Sequence, residues 1–199
     1  AQSAPELLGS PAAATAVENN KIIGNTVAKN FDEGIELKSA KGTLVENNTV
    51  HDNGSNGIYL ASGASSNTIK RNTSFNNRGH GIRANGADVV ANTWTENLVY
   101  DNLAGGIVTT SNANKGIKGP KLTQTGNVVT GEAAPGSIVE LFSDSGGQAR
   151  YFETRLLVGS DGTFRVERNW MGPNVNATVT DSSGNSSGLT YNVAGFIPS

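Results

Sequence analysis

Cysteine is absent from this chain of 199 residues, which rules out disulfides and thiolate metal sites. Charged side chains are also sparse, at 16% of the sequence, with 15 basic and 17 acidic residues. A general nucleic-acid-binding protein needs a basic surface, so we expect no nucleic-acid partner. No apolar run approaches the roughly 20 residues that span a bilayer, and we expect no membrane span.

Asparagine, by contrast, recurs in columns with a period of about 24 residues in the first half of the chain. Within the first column the spacings are 23, 24 and 25 residues. The two main columns are Asn25, Asn48, Asn72 and Asn97, then Asn30, Asn53, Asn77 and Asn102. A third polar column reads Asn20, Thr43, Asn67 and Asn92, and a glycine column reads Gly34, Gly57, Gly81 and Gly106. A regular repeat of this size predicts stacked units.

Each repeat is too short for a helical hairpin and offers only brief β-prone runs between turn residues, so we predict one coil of a solenoid per repeat. Four apolar columns would form its core: Ile22, Val45, Ile69 and Trp94; Val27, Val50, Ser74 and Val99; Ile35, Ile58, Ile82 and Ile107; and Leu37, Leu60, Ala84 and Thr109. Asparagine amides can bond to the coils above and below, and their backbone tolerates left-handed dihedrals. We expect the glycine column to mark a corner that only glycine turns cheaply.

The repeated segments NTVAKNFDEGIEL, NTVHDNGSNGIYL, NTSFNNRGHGIRA and NLVYDNLAGGIVT resemble the right-handed parallel β-helix proteins of the pectin-lyase-like superfamily. The resemblance covers roughly residues 20–110 and implies an all-β fold with a short right-handed parallel β-helix of about four full coils. The handedness rests on the resemblance alone. Because this scaffold carries lyases, hydrolases, epimerases, adhesins and structural fibres, it does not fix the function.

After the repeats the chain alternates short β-prone runs with Gly and Asp turns, which predicts a β-sandwich. The predicted strands are residues 121–124, 137–143, 151–158, 163–166, 174–181 and 189–193. The stretches VTGEAAPGSIVELFSD and ATVTDSSGNSS resemble bacterial Ig-like domains. We therefore divide the chain into an N-terminal segment (1–19), a parallel β-helix (20–118) and an Ig-like β-sandwich (119–199).

The N-terminal segment is interpreted as a partial coil, a cap or a docking strand. An uncapped solenoid end exposes unpaired backbone groups, which favours contact with another molecule. We expect a homo-oligomer, formed through the open β-helix end or by exchange of a strand from residues 1–15 or 189–199. A head-to-tail contact that does not close would build filaments.

Two aspartates are the catalytic candidates. Asp52 and Asp101 share one column two coils apart, a separation of roughly 10 Å, near the upper end for an inverting pair of carboxylates. His51, next to Asp52, could act as a base in lyase or epimerase chemistry. The alternative is a solvated face with one polar residue per coil, and we commit to no catalytic residue.

Carbohydrate could instead be bound by aromatic side chains on successive coils. Tyr59, Phe75 and Tyr100 occupy outward or near-outward positions, and Arg83 lies on the Tyr59 column. These four residues form the candidate carbohydrate-binding face. Against this, Phe75 could be partly buried at a coil edge.

Metal chemistry has little support in the sequence. His51 and His80 are the two histidines and lie on different columns, so we predict no metal site and no cofactor. Calcium is the exception, because Asp144, Asp181 and Asn185 would place oxygen ligands on sandwich loops. Capping of Asx turns is the favoured role for these residues.

The sequence therefore favours a non-enzymatic, extracellular or cell-surface module with a structural or adhesive role. It would assemble end to end or bind polysaccharide. The alternative is a polysaccharide lyase, epimerase or hydrolase, or the C-terminal fragment of one. Enzymes of this architecture usually interrupt a coil with long loops, whereas these coils vary in length by only two residues, from 23 to 25.

Overall fold

A computed structural model of the chain describes residues 17–191, with two parts in succession: a parallel β-helix and a pair of antiparallel sheets. Most of the predicted N-terminal segment (1–16) and the end of the predicted exchange strand (192–199) lie outside these residues. Within the described range, no helix has the length and apolar character needed to cross a membrane.

Within residues 17–191, the β-helix has fourteen short parallel strands. In chain order they are β1 (Val17–Glu18), β2 (Lys21–Ile23), β3 (Thr26–Ala28), β4 (Ile35–Lys38), β5 (Ala40–Lys41), β6 (Leu44–Glu46), β7 (Thr49–His51), β8 (Ile58–Ala61), β9 (Thr68–Lys70), β10 (Thr73–Phe75), β11 (His80–Asn85), β12 (Thr93–Thr95), β13 (Leu98–Tyr100) and β14 (Gly105–Thr110). They form a first sheet (β2-β6-β9-β12), a second sheet (β3-β7-β10-β13), a third sheet (β4-β8-β11-β14) and the short pair β1-β5.

The pairing of these strands confirms every predicted apolar column. Val45 pairs with Ile22 and Ile69, and Ile69 with Trp94. The other three columns are paired in the same way on the second and third sheets. The inward side chains of the middle coils are completely buried, so the columns form one continuous core.

The asparagine ladder is also confirmed, and its hydrogen bonds run from coil to coil. Asn72 Oδ1 accepts from the backbone N–H and from Nδ2 of Asn48, both at 2.9 Å. Asn72 Nδ2 donates to Asn97 Oδ1 and to Val45 O, each at 3.0 Å. The asparagines of the inner coils are buried away from water, so their amides must find their hydrogen-bond partners within the protein.

The left-handed residue of each corner lies one position before the ladder asparagine. Asn47, Arg71 and Glu96 have φ of 55°, 53° and 55° and precede Asn48, Asn72 and Asn97. None of the asparagines of the predicted columns has positive φ. The expectation that these asparagines supply the left-handed dihedral is therefore wrong, because their backbone must stay aligned while the side chain points inward.

The glycine column has a different reason from the predicted one. Gly34, Gly57, Gly81 and Gly106 are not in the left-handed region. A Cβ on Gly57 would lie 2.7 Å from Gly81 O, and a Cβ on Gly81 would lie 2.8 Å from Asn102 Nδ2. Close approach between coils, not an unusual dihedral, is what excludes a side chain here.

The second part begins after a short 3₁₀ helix (Ala113–Gly116) and contains seven strands. They are β15 (Lys121–Thr125), β16 (Val128–Glu132), β17 (Ile138–Asp144), β18 (Tyr151–Leu157), β19 (Thr163–Glu167), β20 (Asn174–Thr180) and β21 (Thr190–Tyr191). Two antiparallel sheets, β15-β16-β19 and β18-β17-β20-β21, share one core. Each predicted strand overlaps an observed one, and β16 is the strand that the prediction missed.

This second part closes the last coil of the β-helix, and we call it the cap. Gln148 stands where the next rung would be: its Oε1 accepts from Asn102 N and Nδ2, both at 3.3 Å. Asn114 does the same for the neighbouring ladder, accepting from Asn92 N at 3.1 Å. Phe142 and Ala149 of the cap join the β-helix core. The ladders that end at Asn102 and Asn92 are therefore closed by side chains of the same polypeptide.

One buried carboxyl group joins the cap to the last coil. Glu140 accepts hydrogen bonds from the Thr95 hydroxyl and, at 2.9 Å, from Glu96 N. Arg155 lies 4.0 Å away. Burial raises the pKa of the Glu140 carboxyl, while the two hydrogen bonds and Arg155 oppose this shift.

The ladder predicts a graded cost of removing an amide. Asn72→Ala strands the buried polar groups of Asn48 and Val45, and we expect the free energy of unfolding to fall by about 3 kcal/mol. Asn25→Ala is the matched control, since Asn25 is exposed on the first coil, and should cost less than about 1 kcal/mol. Chemical denaturation measures both. Equal losses would show that the buried ladder contributes no special stability.

Glu140 predicts a pH dependence of stability. Because its pKa is raised on folding, its contribution is complete below about pH 4.3 and is lost as the pH rises through the raised pKa. Relative to wild type, Glu140→Gln should therefore gain stability as the pH rises from 4 to 8. Thermal unfolding across this range tests it, with the exposed Glu132→Gln as control. A constant difference between Glu140→Gln and wild type would contradict the assignment.

Candidate functional site

A stack of planar side chains runs along the outer face of the second sheet. His51, Phe75 and Tyr100 follow one another on β7, β10 and β13, with ring centroids 4.8 Å and 5.2 Å apart and interplanar angles of 8°. Arg150 of the cap continues the stack, its guanidinium carbon 4.3 Å from the Tyr100 centroid. The spacing follows that of the coils, so the stack extends from the β-helix into the cap.

The stack determines which surfaces of these residues a ligand can reach. Phe75 lies between His51 and Tyr100, and Tyr100 lies between Phe75 and Arg150. Their ring faces are thus engaged with each other. A sugar ring meeting Phe75 or Tyr100 would contact ring edges, a weaker arrangement than the predicted stacking on faces.

The two catalytic candidates each have a partner of their own. Asp52 Oδ2 lies 2.7 Å from His51 Nδ1, and Asp101 Oδ1 accepts from Arg150 at 2.5 Å. Both aspartates are left-handed corner residues, with φ of 55° and 54°, and Asn76 occupies the same position between them. Asp and Asn adopt this conformation more readily than most residues, which accounts for the column without catalysis.

Tyr59 and Arg83 are brought together on the outer face of the third sheet. They pair across β8 and β11, and the Arg83 guanidinium carbon lies 5.7 Å from the Tyr59 ring centroid. Asn85 donates to the Tyr59 hydroxyl at 3.4 Å and accepts from the Thr110 hydroxyl at 2.7 Å. We call Tyr59, Arg83, Asn85 and Thr110 the third-sheet face. It combines an aromatic ring, a cation, an amide and a hydroxyl on four neighbouring positions.

A cleft of about 800 Å³ lies where the last strand of the third sheet meets the cap, and we call it the junction cleft. Its walls are β14, the 3₁₀ helix and the chain on either side of it, and the residues leading into β21. The lining residues are His80, Gly106, Ile107, Val108, Thr109, Ser111, Asn112, Gly116, Ile117, Lys118, Gly119, Gly188, Leu189 and Thr190.

The cleft opens where a fourth polar ladder stops. Glu33 accepts from Asn56 N at 2.5 Å, and Asn56 Oδ1 accepts from His80 N at 2.8 Å. The next position is Gly105, which has no side chain and bonds instead to Asn102 O at 3.3 Å. His80 Nδ1 is left buried without a hydrogen-bond partner among the described residues. Burial lowers the pKa of His80, and the charge of Arg83 lowers it further.

The predicted calcium ligands serve as turn caps. Asp181 Oδ1 accepts from Ser183 N and Asn185 N, each at 2.9 Å, and Asp144 accepts from Gly146 N. Asn185 Oδ1 in turn accepts from Ala91 N of the β-helix at 2.7 Å. Within residues 17–191, no three His, Asp or Glu side chains gather in a group that could hold a metal ion.

Sequence reasoning missed two features of these surfaces. Arg150 lies outside the repeats, so no period signals its place in the stack. The junction cleft had a signal: Gly105 interrupts the column of Glu33, Asn56 and His80, where a polar residue would continue the ladder.

Comparison with known proteins bears on the β-helix. The family described as a right-handed β-helix region matches residues 9–146. A search of curated proteins found no match. The match covers more than half of the sequence, agrees with the parallel coils described above and gives their hand. The chain belongs to the right-handed β-helix family.

Proposed function

We propose that this protein is a non-enzymatic, extracellular or cell-surface adhesive module that binds polysaccharide on the third-sheet face. The observation that carries the proposal is the pairing of Tyr59 with Arg83, supported by Asn85, on a sheet uninterrupted by long loops. Aromatic rings bury the C–H faces of sugars, while guanidinium and amide groups bind their hydroxyls. The proposed ligand is a chain of sugars running across the strands, from Tyr59 past Arg83.

The geometry of the aspartates disfavours the enzymatic alternative. A general acid needs a raised pKa, and its partner needs room for an attacking water. Here Asp101 is paired with Arg150, and Asp52 with His51, so each carboxylate has its own local partner. The two carboxylates therefore serve separate local contacts and are not arranged as an acid–base pair about one bond.

The cap disfavours growth of a filament through both ends of the β-helix. Gln148 and Asn114 already occupy the positions of the next rungs at the C-terminal end. Stacking between molecules would have to use the N-terminal end alone, and such a contact joins two molecules and then closes. We therefore favour adhesion over a structural filament. Strand exchange remains a separate route to an oligomer.

We infer that the cap is an Ig-like sandwich. Its seven strands lie in sheets of four and three, as in the constant-type immunoglobulin fold. The cap closes the β-helix and would hold the third-sheet face away from the point where the protein is attached. Both β-rich parts lack cysteine, so neither depends on disulfide formation.

Substitutions on the third-sheet face test the proposal. For a polysaccharide of the panel that the wild-type protein binds, Tyr59→Ala and Arg83→Ala should each weaken binding about tenfold, equivalent to about 1.4 kcal/mol. Arg71→Ala is the control, because Arg71 is an exposed arginine at the corner that follows the first sheet, paired with Glu46. Interferometry against an immobilised polysaccharide panel measures the affinities.

The same panel separates adhesion from catalysis. Asp52→Asn and Asp101→Asn should bind like wild type, and no polysaccharide should lose mass on incubation. Depolymerisation by wild type that either substitution abolishes would refute the non-enzymatic assignment.

The size of the native particle tests the assembly argument. Light scattering with electron microscopy should show monomers or dimers, because the cap blocks the C-terminal end of the β-helix. Long filaments of the wild-type protein would overturn this expectation.

A further inference from the structure

We propose that the junction cleft binds a sugar acid at the end of a glycan, through its carboxylate and ring hydroxyls. The inference rests on the proposed polysaccharide-binding function and adds to it a second site with a different ligand geometry. The third-sheet face would contact the chain, and the junction cleft would receive its terminal residue.

The size and position of the cleft fit one end of a ligand. Its volume of about 800 Å³ falls within the range of about 300–1,000 Å³ that is usual for small-molecule sites. It lies between two parts of the protein, where ligand sites are common. Val108, which lines the cleft, is the residue that pairs with Arg83 of the third-sheet face. The two sites are therefore adjacent on one sheet.

The edge of β14 supplies hydrogen-bond donors to the cleft. β14 is the last strand of the third sheet, and alternate residues of an edge strand direct their backbone groups away from the sheet. Leu189 N donates to Ile107 O at 3.0 Å, which shows that Ile107, and Thr109 with it, face this edge. Among the described residues, the N–H groups of Ile107 and Thr109 donate to no loop and to no residue of the cap. They are available to an acceptor on a ligand.

The charge of the lining favours an anion. Among the described residues of the lining, Lys118 alone carries a full charge, and none is an aspartate or glutamate. His80 Nδ1 is buried beside the cleft without a partner in the described range, and its tautomer decides whether it donates or accepts. A ligand rich in acceptor oxygens and carrying one negative charge would pair with Lys118 and with the N–H groups of the β14 edge, whereas a cation would find no carboxylate.

The remaining lining residues favour a hydroxylated ring. The lining residues with hydroxyl or amide side chains are Thr109, Ser111, Asn112 and Thr190. Those with aliphatic side chains are Ile107, Val108, Ile117 and Leu189. This mixture matches a sugar, which has hydroxyls at its rim and C–H groups on its faces. Within residues 17–191, His80 is the one planar ring in the lining.

Glycines allow close packing at the back of the cleft. A Cβ on Gly188 would lie 3.2 Å from Ile107 O and 3.4 Å from Thr109 N. A Cβ on Gly119 would overlap the Thr190 side chain. Gly188 can therefore approach β14, and Gly119 can approach Thr190, only because neither residue carries a side chain.

Two sugars that differ in one group test the inference. Glucuronate and glucose share a ring, and the carboxylate of the first replaces a hydroxymethyl group of the second. Titrated into isotopically labelled protein, glucuronate should shift the amide signals of Ile107 and Thr109 and the ring signals of His80. Glucose should bind at least tenfold more weakly, because it cannot pair with Lys118.

Matched lysine substitutions locate the charge. Lys118→Gln should reduce the affinity for glucuronate about tenfold, while Lys121→Gln, an exposed lysine outside the junction cleft, should leave it unchanged. Equal affinity for glucose and glucuronate would overturn the inference. So would equal shifts with inorganic phosphate or acetate, which would make the cleft a simple anion site.

The two proposals can fail separately. If Tyr59→Ala abolishes polysaccharide binding but glucuronate produces no shift in the cleft, the inference fails and the proposed function stands. If glucuronate binds and Lys118→Gln weakens it, yet no polysaccharide binds to wild type, the cleft is real and the adhesive function fails.

Discussion

The hydrogen bonds between asparagine amides in successive coils are the interaction on which the rest of this structure depends. Each inner amide donates and accepts along the axis, as Asn72 does with Asn48 and Asn97. A register held in this way fixes the coil spacing at about 4.8 Å and leaves no freedom for one coil to slide on the next. The glycine contacts, the buried apolar columns and the aromatic stack all require that alignment.

A ladder of amides cannot end by itself, and this explains why the second part of the chain packs where it does. The last rung would present buried donors with no acceptor, a cost of about 1–3 kcal/mol for each group. Gln148 and Asn114 provide the missing acceptors, and Phe142 covers the apolar columns. Glu140 adds a buried carboxyl group to the same junction, and this burial raises its pKa. The cap thus continues the hydrogen bonds and the apolar core of the β-helix with residues that lie outside the repeats.

The sequence was sufficient to predict the coils because every contact within them repeats. Asn72 bonds to a residue 24 positions earlier and another 25 positions later, so its partners appear as a period. The junction has no such period: Asn102 meets Gln148 across 46 positions, and Ala91 meets Asn185 across 94. The candidate site divides in the same way. The pairing of Tyr59 with Arg83 followed from the columns, whereas the engagement of the Tyr100 ring by Arg150 depends on a single tertiary contact.

Because the ladder corners are made by one left-handed residue followed by one inward polar residue, a coil contains all that it needs to pair with its neighbours. A whole repeat can therefore be gained or lost by duplication or deletion of a gene segment without changing the corners that remain. The distance between the ends of the molecule then varies in steps of about 4.8 Å. The junction cleft is formed by the last coil and the cap, so it is kept whatever the number of coils. Selection can therefore change the length of the protein without changing the residues that bind a ligand.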